Sequence, residues 1–188
     1  PSAIPLFDSY SPYDQIPFQY SLHILDSPDS ELRHVDFLYT EIGDPQAFLA
    51  ESLQSYIGPL GSVIVWHKTF EIGRNKEIGR RLPEYTEFFE SINARIYDLK
   101  DIFSKQYYVH KDFKGKCSIK KVLPVLAPEL SYADLEIKEG GTASQAWKNV
   151  VDGKYDIEES FEVINNMKKY CERDTYAMYA IWKHLMDL

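Results

Sequence analysis

The chain has 188 residues, with 21 Lys and Arg against 29 Asp and Glu for a net charge of −8, and 44% of it is hydrophobic. A chain of this size buries roughly 70% of its unfolded surface, which excludes a disordered tail, and its acidic balance argues against a generic nucleic-acid coat. No apolar run approaches the ~20 residues that cross a bilayer, no basic-then-apolar leader is present, and Cys117 and Cys171 stand 54 positions apart without ligand spacing. The expectation is a reducing, cytoplasmic setting with no membrane.

Residues 1–17 hold four prolines, Pro1, Pro5, Pro12 and Pro17, and no period, which predicts irregular chain. Residues 18–25 and 32–39 flank the turn-rich Asp26-Ser-Pro-Asp-Ser30 and predict a hairpin with His23 and His34 on its surface. Asp44-Pro45, the helical spacing of Phe48, Leu49, Leu53, Tyr56 and Ile57, and a closing Gly58 predict a helix over 45–57. The apolar run Ser62-Val-Ile-Val-Trp66 predicts a central strand covered on both faces. A helical pattern starts near Phe70, breaks at Pro83 and resumes through Phe88, Phe89 and Ile92; a short strand at 94–97 and a helix capped by Asp98 follow. Helices near 118–126, 142–151 and 158–187 complete a single α/β domain over 1–188, a mixed sheet flanked by helices. Such sheets carry chemistry at strand ends.

On the last helix, Ile164, Met167, Thr175, Met178, Trp182 and Leu185 lie within about 40° of the line through Cys171, an inward stripe with Asp174 at its border and Tyr170 one turn earlier. A carboxylate there needs a cation, a metal or a hydrogen-bond donor; an ion-paired Asp at the edge of the core is the competing reading. Tyr-x-x-x-Asp is weak by itself: chance supplies about one such pair and the chain has four. Only Tyr170/Asp174 sits within a long amphipathic helix. The second candidate is Glu71 in Trp66-His-Lys-Thr-Phe-Glu71, where a strand runs out into a helix start. It suits a metal ligand and equally an ordinary first-turn acid. Residues 68–81 carry +3 and residues 111–121 carry +4, so Lys68, Arg74, Lys116 and Lys120 are candidates for phosphate contact, with solvated faces as the alternative. Cys171 lies on the buried stripe, where thiols are inert.

His67 to Glu71 and Tyr170-Cys-Glu-Arg-Asp174 resemble two motifs of the DnaQ-like, DEDD-type 3′-to-5′ exonucleases of the ribonuclease H-like fold, in the same order along the chain. Ala3-Ile-Pro5, Pro12-Tyr13, Gln15-Ile-Pro-Phe-Gln19, Tyr97-Asp-Leu99, Ser118-Ile-Lys120 and Tyr170-Cys171 with Asp174-Thr175 are similar to an uncharacterised bacterial domain family of that superfamily, found at the C-terminus of larger proteins and in some after a RecB-like nuclease domain. The resemblance implies a ribonuclease H-like sheet and hydrolysis at the 3′ end of single-stranded DNA or RNA by two Mg²⁺ or Mn²⁺ ions about 3.5 to 4 Å apart. Hard oxygen ligands suit those ions. It further implies Glu71 and Asp174 as metal ligands and Tyr170 as the group that orients water, all three in catalysis.

Two departures qualify it. His67 and Glu71 stand where the superfamily has Asn and Asp. The first motif, Asp-x-Glu on the central strand, finds no match before Phe18, where Asp8 is the only acid among the first ten residues. The expectation is a C-terminal fragment lacking its central strand, inactive alone, with strand edges that the Pro-rich arm, upstream sequence or a second copy in a homodimer would cover. Asp98 stands where superfamily members carry an acid, and helix capping is the favoured reading. The alternative to a nuclease is a noncatalytic nucleic-acid-binding or scaffold module of the same fold.

Overall fold

Ser30 Oγ accepts the N–H groups of Asp26 and Ser27 and donates to the Ser27 carbonyl. This turn joins β1 (Gln19–Ile24) to β2 (Arg33–Leu38) in antiparallel register, in a computed structural model that describes residues 5–7 and 10–188. Asp44 Oδ1 then accepts the Gln46 N–H at 3.0 Å and starts α1 (Gln46–Tyr56). The chain proceeds through β3 (Val63–Val65), α2 (Lys68–Arg81), α3 (Thr86–Ala94) and β4 (Ile96–Asp98), which pairs in parallel with β3. Four more helices follow: α4 (Asp101–Ser104), α5 (Ile119–Leu126), α6 (Gly140–Val151) and α7 (Ile157–Met186). The last of these opens with a capping box between Asp156 and Glu159. Among the described residues, no helix is long and apolar enough to cross a membrane.

Side-chain alternation on the strands divides the interior. Val63 and Val65 join Leu49, Ile78, Phe89, Ile92 and Ile96 beneath α1, α2 and α3, together with Tyr20 and Phe37 from the hairpin. Ile64 and Trp66 point the other way, toward Leu99, Phe103, Leu123, Ala177 and Ile181 beneath α5 and α7. A third cluster joins α6 to the first half of α7 through Trp147 and Met167. The strands therefore lie between two helical layers, and β3 is covered on both faces as its apolar run predicts.

Three expectations need correction. The strands form two separate two-stranded sheets, β1-β2 and β3-β4, not one mixed sheet, and β3 is not central. Its three residues bond to β4 alone, so the hairpin and the parallel pair share an apolar cluster with no ladder between them. The inward face of α7 is wider than the expected stripe: Ile164, Met167, Met178, Trp182 and Leu185 of that stripe pack into the core clusters, and Ala177 and Ile181 beside it are fully buried as well. The helix serves several neighbours along its 30 residues, and α5 and the hairpin take different sides of its second half. Finally, His34 is exposed as expected, but His23 is half-buried on the side of the hairpin packed against α7, where Thr175 Oγ1 meets His23 Nδ1 at 2.8 Å. The arm is irregular where described, and it is anchored: Arg81 Nη2 donates to Asp14 Oδ2, and the Tyr10 hydroxyl donates to Asp44 at 2.8 Å. Pro1, Ala3 and Asp8 lie outside the described residues.

Burial, and after it the facing His34, hold His23 well below its usual value, at about 4. The unfolded ring takes up a proton near pH 6.5, so the folded state binds fewer protons and loses stability as pH falls from about 6.5 toward 4. Because the ring is half-buried, the loss is about 1 kcal/mol after screening. Urea unfolding across that range should show this slope, and His23→Gln should remove it; an unchanged slope in the variant would place the titrating group elsewhere.

Candidate carboxylate site

Asp174 lies on the part of α7 that faces the loop between α5 and α6. Tyr132 of that loop donates its hydroxyl to Asp174 Oδ1 at 2.7 Å. The loop is held by Arg173, which grips both carboxylate oxygens of Asp134, with Nη1–Oδ1 at 3.3 Å and Nη2–Oδ2 at 3.1 Å, and also donates to the Ser131 carbonyl. Tyr170, one helical turn before Asp174, lies close enough to stabilise the same carboxylate, though less directionally than Tyr132. Lys120 Nζ stands 5.4 Å from the centre of the Tyr132 ring and 5.6 Å from that of Tyr170, and donates to the Lys138 carbonyl. Burial raises the Asp174 pKa, and the two hydroxyls and Lys120 only partly offset it. Burial and the Asp174 charge push both phenols up, so Tyr132 and Tyr170 stay protonated donors.

Glu71 sits in the first turn of α2. The helix starts there because His67 Nδ1 accepts the Phe70 N–H at 3.3 Å and Asp98 Oδ2 accepts the Lys68 N–H at 2.8 Å. Asp98 Oδ1 also takes the Lys100 N–H at 3.1 Å. Asp98 therefore does not cap α4, which begins after Lys100 without a side-chain cap; it closes the turn before that helix and holds the first N–H of α2. Burial raises the Glu71 pKa, against weaker opposing effects of His67 and Arg74. Arg74 itself gives Nη2 to Glu77 at 2.8 Å and lies over the Phe70 ring.

Cys171 joins the two halves. Its thiol is pushed up to about 12, first by burial and then by the charges of Asp174, Asp36 and Glu71 in that order. Carboxylates from β2, α2 and α7 therefore act on one buried sulfur. The thiol stays protonated, as expected of an inert cysteine, and both cysteines are free.

The candidate phosphate contacts fare unevenly. Lys116 and Lys120 are exposed, Lys68 Nζ donates to the Ile96 carbonyl at 3.0 Å, and Arg74 is engaged as above. Two participants escape the sequence reading. Tyr132 lies 42 positions from Asp174 in a stretch without periodicity, so no local pattern marks it. Asp36 alternates correctly for the face toward α7, where Lys168 Nζ approaches it at 2.9 Å, and strand alternation would have found it.

These half-buried acids in an α/β frame fall in a chain whose residues 1–118 match the family described as a domain of unknown function, DUF2779; the chain belongs to that family. It is 28% identical over 204 residues to an uncharacterised protein of Mycoplasma pneumoniae, across 99% of this chain and 31% of the relative. It is also 28% identical over 206 residues to an uncharacterised protein of Ureaplasma parvum, across 96% of this chain and 29% of that relative. An uncharacterised protein of Mycoplasma genitalium is 27% identical over 205 residues. The chain thus spans about a third of the length of these relatives. No solved structure matches it.

Proposed function

We propose that the chain is part of a metal-dependent 3′-to-5′ exonuclease-like domain of ribonuclease H-like type, hydrolysing nucleic-acid phosphodiesters. What supports this reading is that Glu71 and Asp174, more than a hundred positions apart, are both held above the usual carboxylate range by burial, and that the charge of each contributes to raising the Cys171 thiol. Acids left this poorly compensated fit a divalent cation, because their oxygens are the ligands that Mg²⁺ and Mn²⁺ prefer. Asp174 keeps Oδ2 and Glu71 its whole carboxylate for that role, beyond the bond from Tyr132. The bound ions would activate water and neutralise charge on the leaving oxygen. Tyr170, protonated and one turn from Asp174, orients the water, while Tyr132 fixes the Asp174 carboxylate and Lys120 draws the phosphate.

One observation favours the noncatalytic module instead: two hydroxyls and Lys120 already stabilise Asp174. Digestion of single-stranded DNA and RNA with Mn²⁺, by a protein extended upstream of residue 1, separates the two. A nuclease loses at least ~100-fold in rate with either Glu71→Gln or Asp174→Asn. Digestion that is equal in parent and variants sinks the proposal.

A further inference from the structure

On the other side of α7 a second group of ligands meets. His23 and His34 are direct partners in the hairpin register, with ring centres 4.6 Å apart. One ring nitrogen from each and one Glu172 oxygen lie within 4.8 Å of one another. Thr175 Oγ1 holds His23 Nδ1 at 2.8 Å, and Ser21 Oγ holds His34 Nε2 at 2.9 Å. Those bonds leave His23 Nε2 and His34 Nδ1 without a protein hydrogen bond, and His34 Nδ1 is 3.8 Å from Glu172 Oε1. Ligands around a tetrahedral zinc are about 3.3–3.6 Å apart, so a small inward shift of one side chain closes the set.

We propose that His23, His34 and Glu172 form a binding site for a zinc-type divalent ion, separate from the carboxylate site around Asp174. Two imidazoles select a softer ion than Mg²⁺ or Mn²⁺. The hydroxyls of Ser21 and Thr175 meet each other at 2.7 Å and fix both rings from behind, as partners behind metal-bound histidines do. With the Glu172 side chain 50% exposed and that of His34 27% exposed, solvent reaches the group and a fourth position stays open to water or a substrate oxygen. Glu172 and Asp174 project about 200° apart around the helix, so the proposal stands independently of the nuclease reading.

Calorimetric titration of the chain with zinc chloride, joined to the absorption spectrum of the Co²⁺ form, tests it. One ion per chain and a Co²⁺ spectrum of low coordination number are expected. His23→Ala, His34→Ala and the exposed Glu172→Gln, which leaves the fold undisturbed, should each weaken binding by about 100-fold, and Thr175→Val by about 10-fold. Asp174→Asn should bind zinc as the parent does even where its Mn²⁺-dependent activity is lost, so either reading can fail alone. Zinc affinity unaltered in Glu172→Gln and in the folded histidine variants, or no zinc binding by the parent, overturns the site.

Discussion

Replacing Glu71 by Gln and Asp174 by Asn together is expected to raise the melting temperature of the chain at pH 7. Buried acids normally support a fold only when they are paired; here burial raises both pKa values and the opposing partners fall short. A carboxyl whose folded pKa lies above its unfolded one favours the folded state when protonated. That advantage is fully present below the unfolded pKa and disappears as pH rises through the folded one. The gain in the amide variant should therefore be small near pH 4 and grow as pH rises, with each kcal/mol worth roughly 2–4 °C at this chain length. The amide at 174 can still accept the Tyr132 hydroxyl, so the substitution removes charge and keeps the bond. Mn²⁺ that binds only the folded parent would raise its melting temperature by mass action and leave the variant unmoved. A variant that melts lower than the parent at pH 7 would show that the carboxylates are structural, and would count against a site held at a cost in stability.

A loss of stability is expected where α2 meets the N-terminal arm. The Arg81 side chain is 10% exposed, its partner Asp14 is 26% exposed, and its guanidinium lies 4.0 Å from the centre of the Tyr10 ring. Asp14→Ala leaves that cation buried with only the ring face opposite it, which costs about 3–5 kcal/mol; a fall in melting temperature of roughly 10 °C follows. Arg81→Met in the same background should recover part of the loss, because an apolar residue of similar length needs no counter-charge. Thermal melts of the two single variants and the double variant form the cycle that measures this. A loss in the double variant equal to the sum of the two single losses would show that the pair is not coupled.

The parts of this fold that chemistry marks locally were legible. Asp44, Pro45 and Gly58 bracket α1 to within a residue, the break at Pro83 divides α2 from α3, and the long periodic run gives α7. Glu71 was legible as an acid at a helix start and Asp174 as an acid at the border of a buried stripe, where burial is costly. Pairing was less so: the run at 62–66 shows that β3 is covered on both faces and says nothing about which edges find a partner. Contacts made by distant segments left no trace in spacing. Tyr132 meets Asp174, and Arg81 meets Asp14, only because loops and arm are folded over helices. His23 and His34 alternate as a hairpin requires, but α7 decides that the first of them is covered.

Three consecutive residues of α7 serve three different tasks. Glu172 faces the paired imidazoles, Arg173 clasps Asp134, and Asp174 takes the Tyr132 hydroxyl. Each added or deleted residue turns everything beyond it by about 100°, so a single indel upstream in the helix would detach all three at once. An inserted residue should accordingly be tolerated at bends such as 26–30 and 152–155, which lie outside the helix, and not before residue 172 within it.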